Sequence, residues 1–439
     1  MLKHRALVLS HGHPDFSLGG GEIAAFNLFE ALKTHPDTEA AWFIGRIDRG
    51  NGATGAFSLH GSNEFLWEQS LGNSFLLKAA NSYAIWHEFR QMLRAIRPTV
   101  IFAHHYFHLG LECFRVIKQE LPKAKLILTL HEYMGICHQQ GQMVKKNTHQ
   151  LCEKSSLDEC NRCMPEFSRE HFWLRKDFIK SHFDLVDHFI SPSHFLRQRY
   201  IDWGISPESI SVIENGQAKC DPLPPRTVDA SGLRNRFAFF GQINQFKGAD
   251  LLLEAVSRMT EDERKKIIVE FHGANLEHQS PDFQLKIKSL MEPLIKEGCV
   301  RWAGAYRSTQ LRGRFEKIDW VVVPSIWWEN SPMVIQEAFS HGRPVICSNI
   351  GGMAEKVIHG VSGLHFEARN SLDLSEVLVK AATDKELWGA VYSEIPRPPT
   401  YEESACQYLH VLSQYQRNSG EKTRNTSMSD HVATSISLT

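Results

Sequence analysis

Short apolar runs bounded by turn residues recur along this chain and alternate with longer stretches of helical periodicity, the pattern of parallel strands joined by crossover helices. In the first half the runs are Ala6–Ser10, Ala41–Ile44, Val100–Ala103, Lys125–Leu130 and His188–Ser191. In the second they are Phe237–Phe240, Ile267–Phe271, Val300–Ala303, Trp320–Pro324 and Pro344–Cys347. The pattern predicts an α/β chain with two doubly wound sheets. A length of 439 residues has room for two domains of ~150–200 residues.

The boundary is marked by Asn215-Gly216-Gln217 and then Asp221-Pro222-Leu223-Pro224-Pro225, where proline removes donors and fixes φ so that neither helix nor central strand continues. This predicts a first domain over 1–218 and a second over 219–395. Each half opens on the same device of strand, glycine-containing loop and helix. In the first it is Leu7–Ser10, Gly19–Gly21 and Glu22–Lys33; in the second, Phe237–Phe240, Gly241 to Gly248 and Ala249–Arg258. After the proline-rich Pro396–Pro399, the segment Glu402–Gln416 sets Ala405, Tyr408, Leu409 and Leu412 on one helical face. The segment 396–417 is therefore expected to pack back on the first domain. Residues 418–439 are Ser/Thr-rich and polar, and are expected to be disordered for want of anything to bury.

Charge narrows the partners. With 49 Lys and Arg against 50 Asp and Glu the chain lacks the field that non-specific nucleic-acid binding requires, and a small neutral or anionic ligand fits better. No apolar stretch approaches ~18 residues, and the N-terminal one is too short for a signal peptide. A cytoplasmic protein without a membrane span is expected, with peripheral membrane contact left open. The nine cysteines are then read mainly as reduced thiols.

The stretch most informative about chemistry follows the run Trp320–Pro324. Ser331 is read as the N-cap and Pro332 as the first residue of a helix continuing through Met333 and Val334. The first-turn amides would lie at the carboxyl end of a parallel strand, where a phosphate is attracted. Glu337 lies further along that helix, in reach of ribose hydroxyls. Glu329 lies in the preceding loop with Asn330, nearer a sugar beyond the phosphates. Taken alone, two glutamates are merely solvated charges flanking a helix.

Their context is more specific. Glu329 and, after seven residues, Glu337 are followed by Ala338-Phe339, Gly342-Arg343-Pro344-Val345-Ile346, Gly351-Gly352-Met353-Ala354-Glu355 and Gly363-Leu364. This closely resembles the donor-binding core of glycosyltransferase family 4. The resemblance covers most of residues 5–415, strongly in the second domain and loosely in the first. Asn215-Gly216, Gly241…Lys247-Gly248, Ser191-Pro192-Ser193 and the Gly19–Glu22 loop fall in the family's order. It implies GT-B architecture, two Rossmann-like doubly wound domains facing each other across a cleft. It also implies sugar transfer from a nucleoside-diphosphate sugar to a hydroxyl of a carbohydrate or lipid-linked glycan acceptor, with retained anomeric configuration and no cofactor needed for catalysis.

By matching position, Glu337 resembles the family's ribose ligand, Glu329 the carboxylate near the donor sugar and His131 the histidine beside the anomeric carbon. Lys247 resembles the cation on the diphosphate, and Gly20 and Gly21 the glycine loop approaching donor or acceptor. The sequence departs from the family at Gln242, where an arginine is usual; an amide stabilises developing negative charge less than a guanidinium does.

Four of the cysteines form a group, Cys137-x14-Cys152-x7-Cys160-x2-Cys163. Four thiolates suffice for a closed structural zinc site; four free thiols are the other reading. Following His131, this loop should hang on the acceptor side. Two further functional classes remain: a nucleotide-sugar epimerase of GT-B fold, and a non-catalytic sugar-nucleotide-binding or scaffold protein with a zinc loop. The paired glutamates favour the transferase over the first, and Lys247 with both glutamates favours it over the second.

Overall fold

The computed structural model describes residues 3–17, 19–48, 55–80 and 83–414, so the expectation for 418–439 lies outside the described residues. In chain order the strands are β1 (His4–Ser10), β2 (Thr38–Ile47), β3 (Phe57–Gly61), β4 (Glu64–Glu68), β5 (Leu71–Asn73), β6 (Lys78–Ala79), β7 (Val100–His104), β8 (Lys125–Thr129), β9 (His188–Ser191) and β10 (Ile210–Val212). Then follow β11 (Arg236–Phe240), β12 (Ile268–His272), β13 (Val300–Trp302), β14 (Trp320–Val323), β15 (Val345–Ser348) and β16 (Gly363–Phe366). The first sheet runs β10-β9-β8-β7-β1-β2-β4-β3 and the second β13-β12-β11-β14-β15-β16, with β5 and β6 forming a separate ribbon. Within the two large sheets β3 alone is antiparallel to its neighbour.

The ten expected strands are present, nine within two residues of their bounds, and β2 extends three residues beyond Ala41–Ile44 at each end. The sequence reading missed β3, β4, β10, β16 and the ribbon. β3 is an edge strand, largely exposed, and β10 has three residues, so neither carries an apolar run long enough to stand out.

Both faces of the central strands are covered, which is why those strands are apolar throughout. Alternation divides β1 between two cores. Leu7 and Leu9 pack with Ile101, Leu126 and Leu128 on one face, whereas Ala6 and Val8 pack with Phe29, Leu32 and Phe102 on the other. Each such fully buried Leu or Phe is worth ~1.5–3 kcal/mol. The second face is completed by the helix at 401–414, whose Ala405, Tyr408, Leu409 and Leu412 are buried in the same cluster. Tyr408 Oη lies 3.0 Å from Thr129 Oγ1 in β8. The chain thus returns to the first sheet, held also by Gln217 N donating to Pro399 O at 2.8 Å and Tyr401 N to Gln217 O at 3.1 Å.

The segment between the sheets is tied to the second one. Asp319, fully buried, accepts from Arg226 Nη2 at 2.7 Å and Arg234 Nη1 at 3.2 Å. Trp388 Nε1 donates to the Asp319 carbonyl at 2.9 Å.

Strand order reverses direction between β1 and β7 in the first sheet and between β11 and β14 in the second. In open parallel sheets the crevice outside the carboxyl ends of such a pair receives ligands.

Candidate functional site

Two loops leave the second sheet at its switch point. The one after β11 carries Gly241, Gln242 and Lys247; the one after β14 carries Ser325 to Ser331. Gly248 has φ +72°, and a Cβ there would sit 1.9 Å from the Pro324 carbonyl oxygen at the end of β14. Only glycine allows this approach, and it brings Lys247 to the second loop. Lys247 Nζ lies 2.6 Å from Glu329 Oε1. The same oxygen accepts from Ser325 Oγ at 2.8 Å and Trp327 Nε1 at 2.9 Å. Glu329 is only 6% exposed. Burial pushes its carboxyl up, but the Lys247 ammonium and the donors on Trp327 and Ser325 outweigh this and hold it below the usual value. Glu329 is therefore held ionised and fixed in position beside Lys247.

The Glu329 loop is held from behind by Gly351 and Gly352. A Cβ on Gly352 would meet the Asn330 carbonyl oxygen at 1.9 Å, and Gly352 N donates to Glu329 O at 2.7 Å. The helix after this loop runs Met333–Ser340, with Pro332 as its N-cap and no side-chain cap. This corrects the expected boundary by one residue: Pro332 is not the first helical residue, because its ψ of 115° is extended. Ser331 does not cap the helix either, and its hydroxyl is buried without a partner. The first-turn amides at Met333 and Val334 are consequently left for an anion. Further along, Glu337 is partly buried, and its carboxyl has no hydrogen-bond partner among the described residues. Burial raises its carboxyl to about 7. Gln242 is exposed.

Histidines from the first sheet face these loops. His131 follows β8, and its carbonyl accepts from the Asn330 side-chain amide. His131 Nε2 is 3.0 Å from His104 Nδ1 at the end of β7. Burial, with His11 alongside, lowers the His131 imidazole to about 4, so it is neutral near pH 7. The helix expected to start at Glu22 begins at Gly20, with Gly19 as N-cap; the two glycines belong to its first turn rather than to the loop. Their role is space. A Cβ on Gly20 would lie 3.3 Å from Met333 Cγ of the second domain, and one on Gly21 3.4 Å from both His11 Cε1 and His131 Cγ. Glu22 is buried, which raises its carboxyl, yet hydrogen bonds to His11 and Ser17 bring it down to about 2.

Lys247, Glu329, Asn330 and Met333 are thus assembled with Gly20, Gly21 and His131 around one cleft. The sequence reading did not single out His11, His104 or Glu22, nor Glu355 and Trp328, which join the domains. Glu355 accepts from His194 N at 2.8 Å and Phe195 N at 2.7 Å, at the start of the helix His194–Trp203. Trp328 Nε1 donates to Cys152 O at 3.0 Å. Lys356 pairs with Glu214 beside them. The Gly-Gly-Met-Ala-Glu motif contained Glu355, but its partner lies 160 residues away.

Cys137 and Cys152 pack against the main core of the first domain, whereas Cys160 and Cys163 pack around Phe75, Met164 and Phe172. None of the four is in a disulfide. They share a neighbourhood, but among the described residues no three of them bring their sulfurs within 4.8 Å of one another. No helix among the described residues is long and apolar enough to cross a membrane.

Comparison with known proteins agrees with this geometry. Residues 228–390 match the family model described as glycosyl transferases group 1, and residues 63–217 that described as glycosyltransferase family 4. A D-inositol 3-phosphate glycosyltransferase of Corynebacterium aurimucosum is 25% identical over 54% of this chain and 55% of its own. A lipopolysaccharide 1,2-N-acetylglucosaminetransferase of Salmonella typhimurium is 28% identical over 45% and 53%. The matched part spans about half the length of these relatives. Among solved structures, Anabaena HepE in complex with UDP and glucose superposes with a TM-score of 0.61 at 17% identity, covering 93% of this chain and 99% of that one. Sucrose-phosphate synthase from Thermosynechococcus elongatus does so with a TM-score of 0.64 at 16% identity, covering 94% and 99%.

Proposed function

The chain belongs to glycosyltransferase family 4, with the two facing domains of the GT-B architecture, and on that premise we propose that it moves a sugar from a nucleoside-diphosphate sugar to an acceptor hydroxyl with retention at the anomeric carbon, in building a glycan. The observation that carries this is the Lys247–Glu329 pair at the switch point of the second sheet, opposite His131 and the Gly20–Gly21 turn. The names of the relatives, one acting on an inositol phosphate and one on a lipopolysaccharide, support a carbohydrate or lipid-linked acceptor. That HepE is described bound to UDP-glucose supports the class of donor.

In this reading the diphosphate lies against the amides of Met333 and Val334, with the Lys247 ammonium neutralising the charge that develops as the glycosidic bond breaks. Glu329, already fixed by three donors, accepts hydrogen bonds from the hydroxyls of the transferred sugar. Glu337 accepts from the ribose. His131, neutral and oriented by His104, serves the sugar face opposite, where a fixed dipole costs no reorganisation during reaction. Among the described residues no side chain stands out as a nucleophile, so retention in this reading follows a front-face path in which the leaving phosphate takes the acceptor's proton. Gln242 leaves one fewer cation on that phosphate than the family pattern supplies.

The experiment screens UDP-, GDP- and ADP-sugars by thermal shift, since a ligand at 100 times its Kd adds ~2.7 kcal/mol to folded-state stability. The stabilising donor is then incubated with simple glycoside acceptors, and the product anomer is read by proton NMR. Failure of every nucleotide sugar to stabilise the protein would remove the donor assignment. An inverted product would remove retention.

A further inference from the structure

Four side chains on three segments of the first domain converge that the proposed sugar transfer does not use. His13 and Asp15 belong to the loop after β1, His60 to β3 and Glu64 to the start of β4. Among the described residues, His13, Asp15 and His60 are the only three metal-ligating side chains whose ligand atoms all lie within 4.8 Å of one another. His60 Nε2 is 2.8 Å from Asp15 Oδ2, and His13 Nδ1 is 3.9 Å from the same oxygen. Ligands about 2.0–2.1 Å from a tetrahedral ion are about 3.3 Å apart. The observed separations bracket that value, so small side-chain rotations would bring the three atoms round one ion.

The His13 ring provides independent support. It is only 2% exposed, packed edge-on against Phe26 and Phe43. Gly45 in β2 makes room for it, since a Cβ there would lie 2.9 Å from His13 Cβ. Nδ1 faces Asp15 and accepts from its amide at 3.2 Å, a bond that an ion on Nδ1 would replace, and this leaves the proton on Nε2. That nitrogen is buried with no hydrogen-bond partner, and the nearest carboxylate oxygen, on Glu64, is 3.6 Å away. Burying an unsatisfied imidazole donor is costly. A ring with one nitrogen towards an ion site and the other towards a carboxylate is the arrangement that orients metal-bound histidines.

We propose that His13 Nδ1, Asp15 and His60 Nε2 bind one divalent ion of the zinc class, with Glu64 orienting His13. Two imidazoles and a carboxylate match the donor preferences of such an ion. Three protein ligands leave a position for water or an oxygen of a bound molecule. Because Asp15 and His13 precede Gly20 on the same loop, occupancy fastens that loop to the β3 edge of the sheet.

The test uses the full chain, stripped with chelator and titrated with Zn2+ by calorimetry, with the metal retained after gel filtration counted by elemental analysis. One equivalent is expected, weakened at least tenfold by His60→Ala and by Asp15→Asn. Both of these side chains are exposed enough for the fold to survive their replacement. Bound Co2+ should show ligand-field bands without thiolate charge transfer, and Cys160→Ser/Cys163→Ser should bind as the native chain does. Equal Zn2+ binding by native and His60→Ala protein, loss of the equivalent in the cysteine variant, or no equivalent retained would each overturn the proposal. The last outcome would leave His60 and Asp15 as a plain surface hydrogen bond.

Discussion

Replacing Glu337 by Gln keeps the side chain's shape and removes its titration. Burial raises this carboxyl from 4.5 to about 7, and no donor among the described residues opposes it. An acid with a higher pKa folded than unfolded contributes nothing below the unfolded value; it destabilises increasingly as pH rises from there to the folded pKa, beyond which the penalty is constant. At ~1.4 kcal/mol per pH unit the ceiling is ~3 kcal/mol. Native and Glu337→Gln proteins should therefore melt together near about pH 4.5, with the variant the more stable by several degrees at about pH 8. The same carboxyl gives a second signal. Ribose hydroxyls donate to the ionised form, so nucleotide binding at about pH 6.5 should expel part of a proton. Titrations with a UDP-sugar, whose diphosphate has no ionisation near that pH, in buffers of different ionisation heat would then differ for the native chain and coincide for the variant. A melting difference that stays constant with pH, or native heats that do not depend on the buffer, would refute both the burial argument and the ribose assignment.

Lys247→Ala should lower turnover at saturating donor ~10²–10³-fold, and Gln242→Arg should match or exceed the native rate; full turnover in Lys247→Ala would show that Lys247 does not meet the phosphate. Gly248→Ala should cost ~3 kcal/mol or more, because a positive φ and a clash with the Pro324 carbonyl act together; an unchanged melting temperature would show that the loop can move aside freely. His131→Ala should bind UDP as the native chain does while transferring sugar far more slowly, and a matching loss of UDP affinity would place His131 at the nucleotide instead. Asp319→Ala leaves Arg226 and Arg234 without their buried partner and should destabilise by ~3–5 kcal/mol; a change under about 1 kcal/mol would mean the arginines re-solvate at little cost.

The strands that carry the site were legible because each is a continuous apolar run. β11 and β14 could be located, and with them the loops bearing Lys247 and Glu329. Glycine spacing framed both loops, and the geometry explains that framing: Gly248 and Gly352 each lie where a Cβ would strike a carbonyl. What escaped notice depends on distance in sequence. The Asn330 contact to His131 spans 199 residues, and nothing local distinguishes His104 or His11 from other histidines in apolar strands. The first turn of the helix Gly20–Thr34 was misread because glycine is a poor helix former, and close packing against Met333 and His131 decides the matter there. The one-residue slip at Pro332 is of the ordinary size for a helix end.

The return of the chain to the first sheet bears on how members of this fold could be recombined. A gene fusion cut at the proline-rich linker would join a foreign first domain to residues 219–414 and bring with it a helix shaped for another surface. Tyr408 would seek a hydroxyl such as that of Thr129, and Tyr401 the carbonyl of Gln217. The exchangeable unit is discontinuous: the first domain together with 399–414, leaving the intervening second domain as an insert. Even then Glu355 must find two free amides at a helix start on the new partner. Whatever the first domain recognises should therefore transplant only with both crossover points and that helix matched.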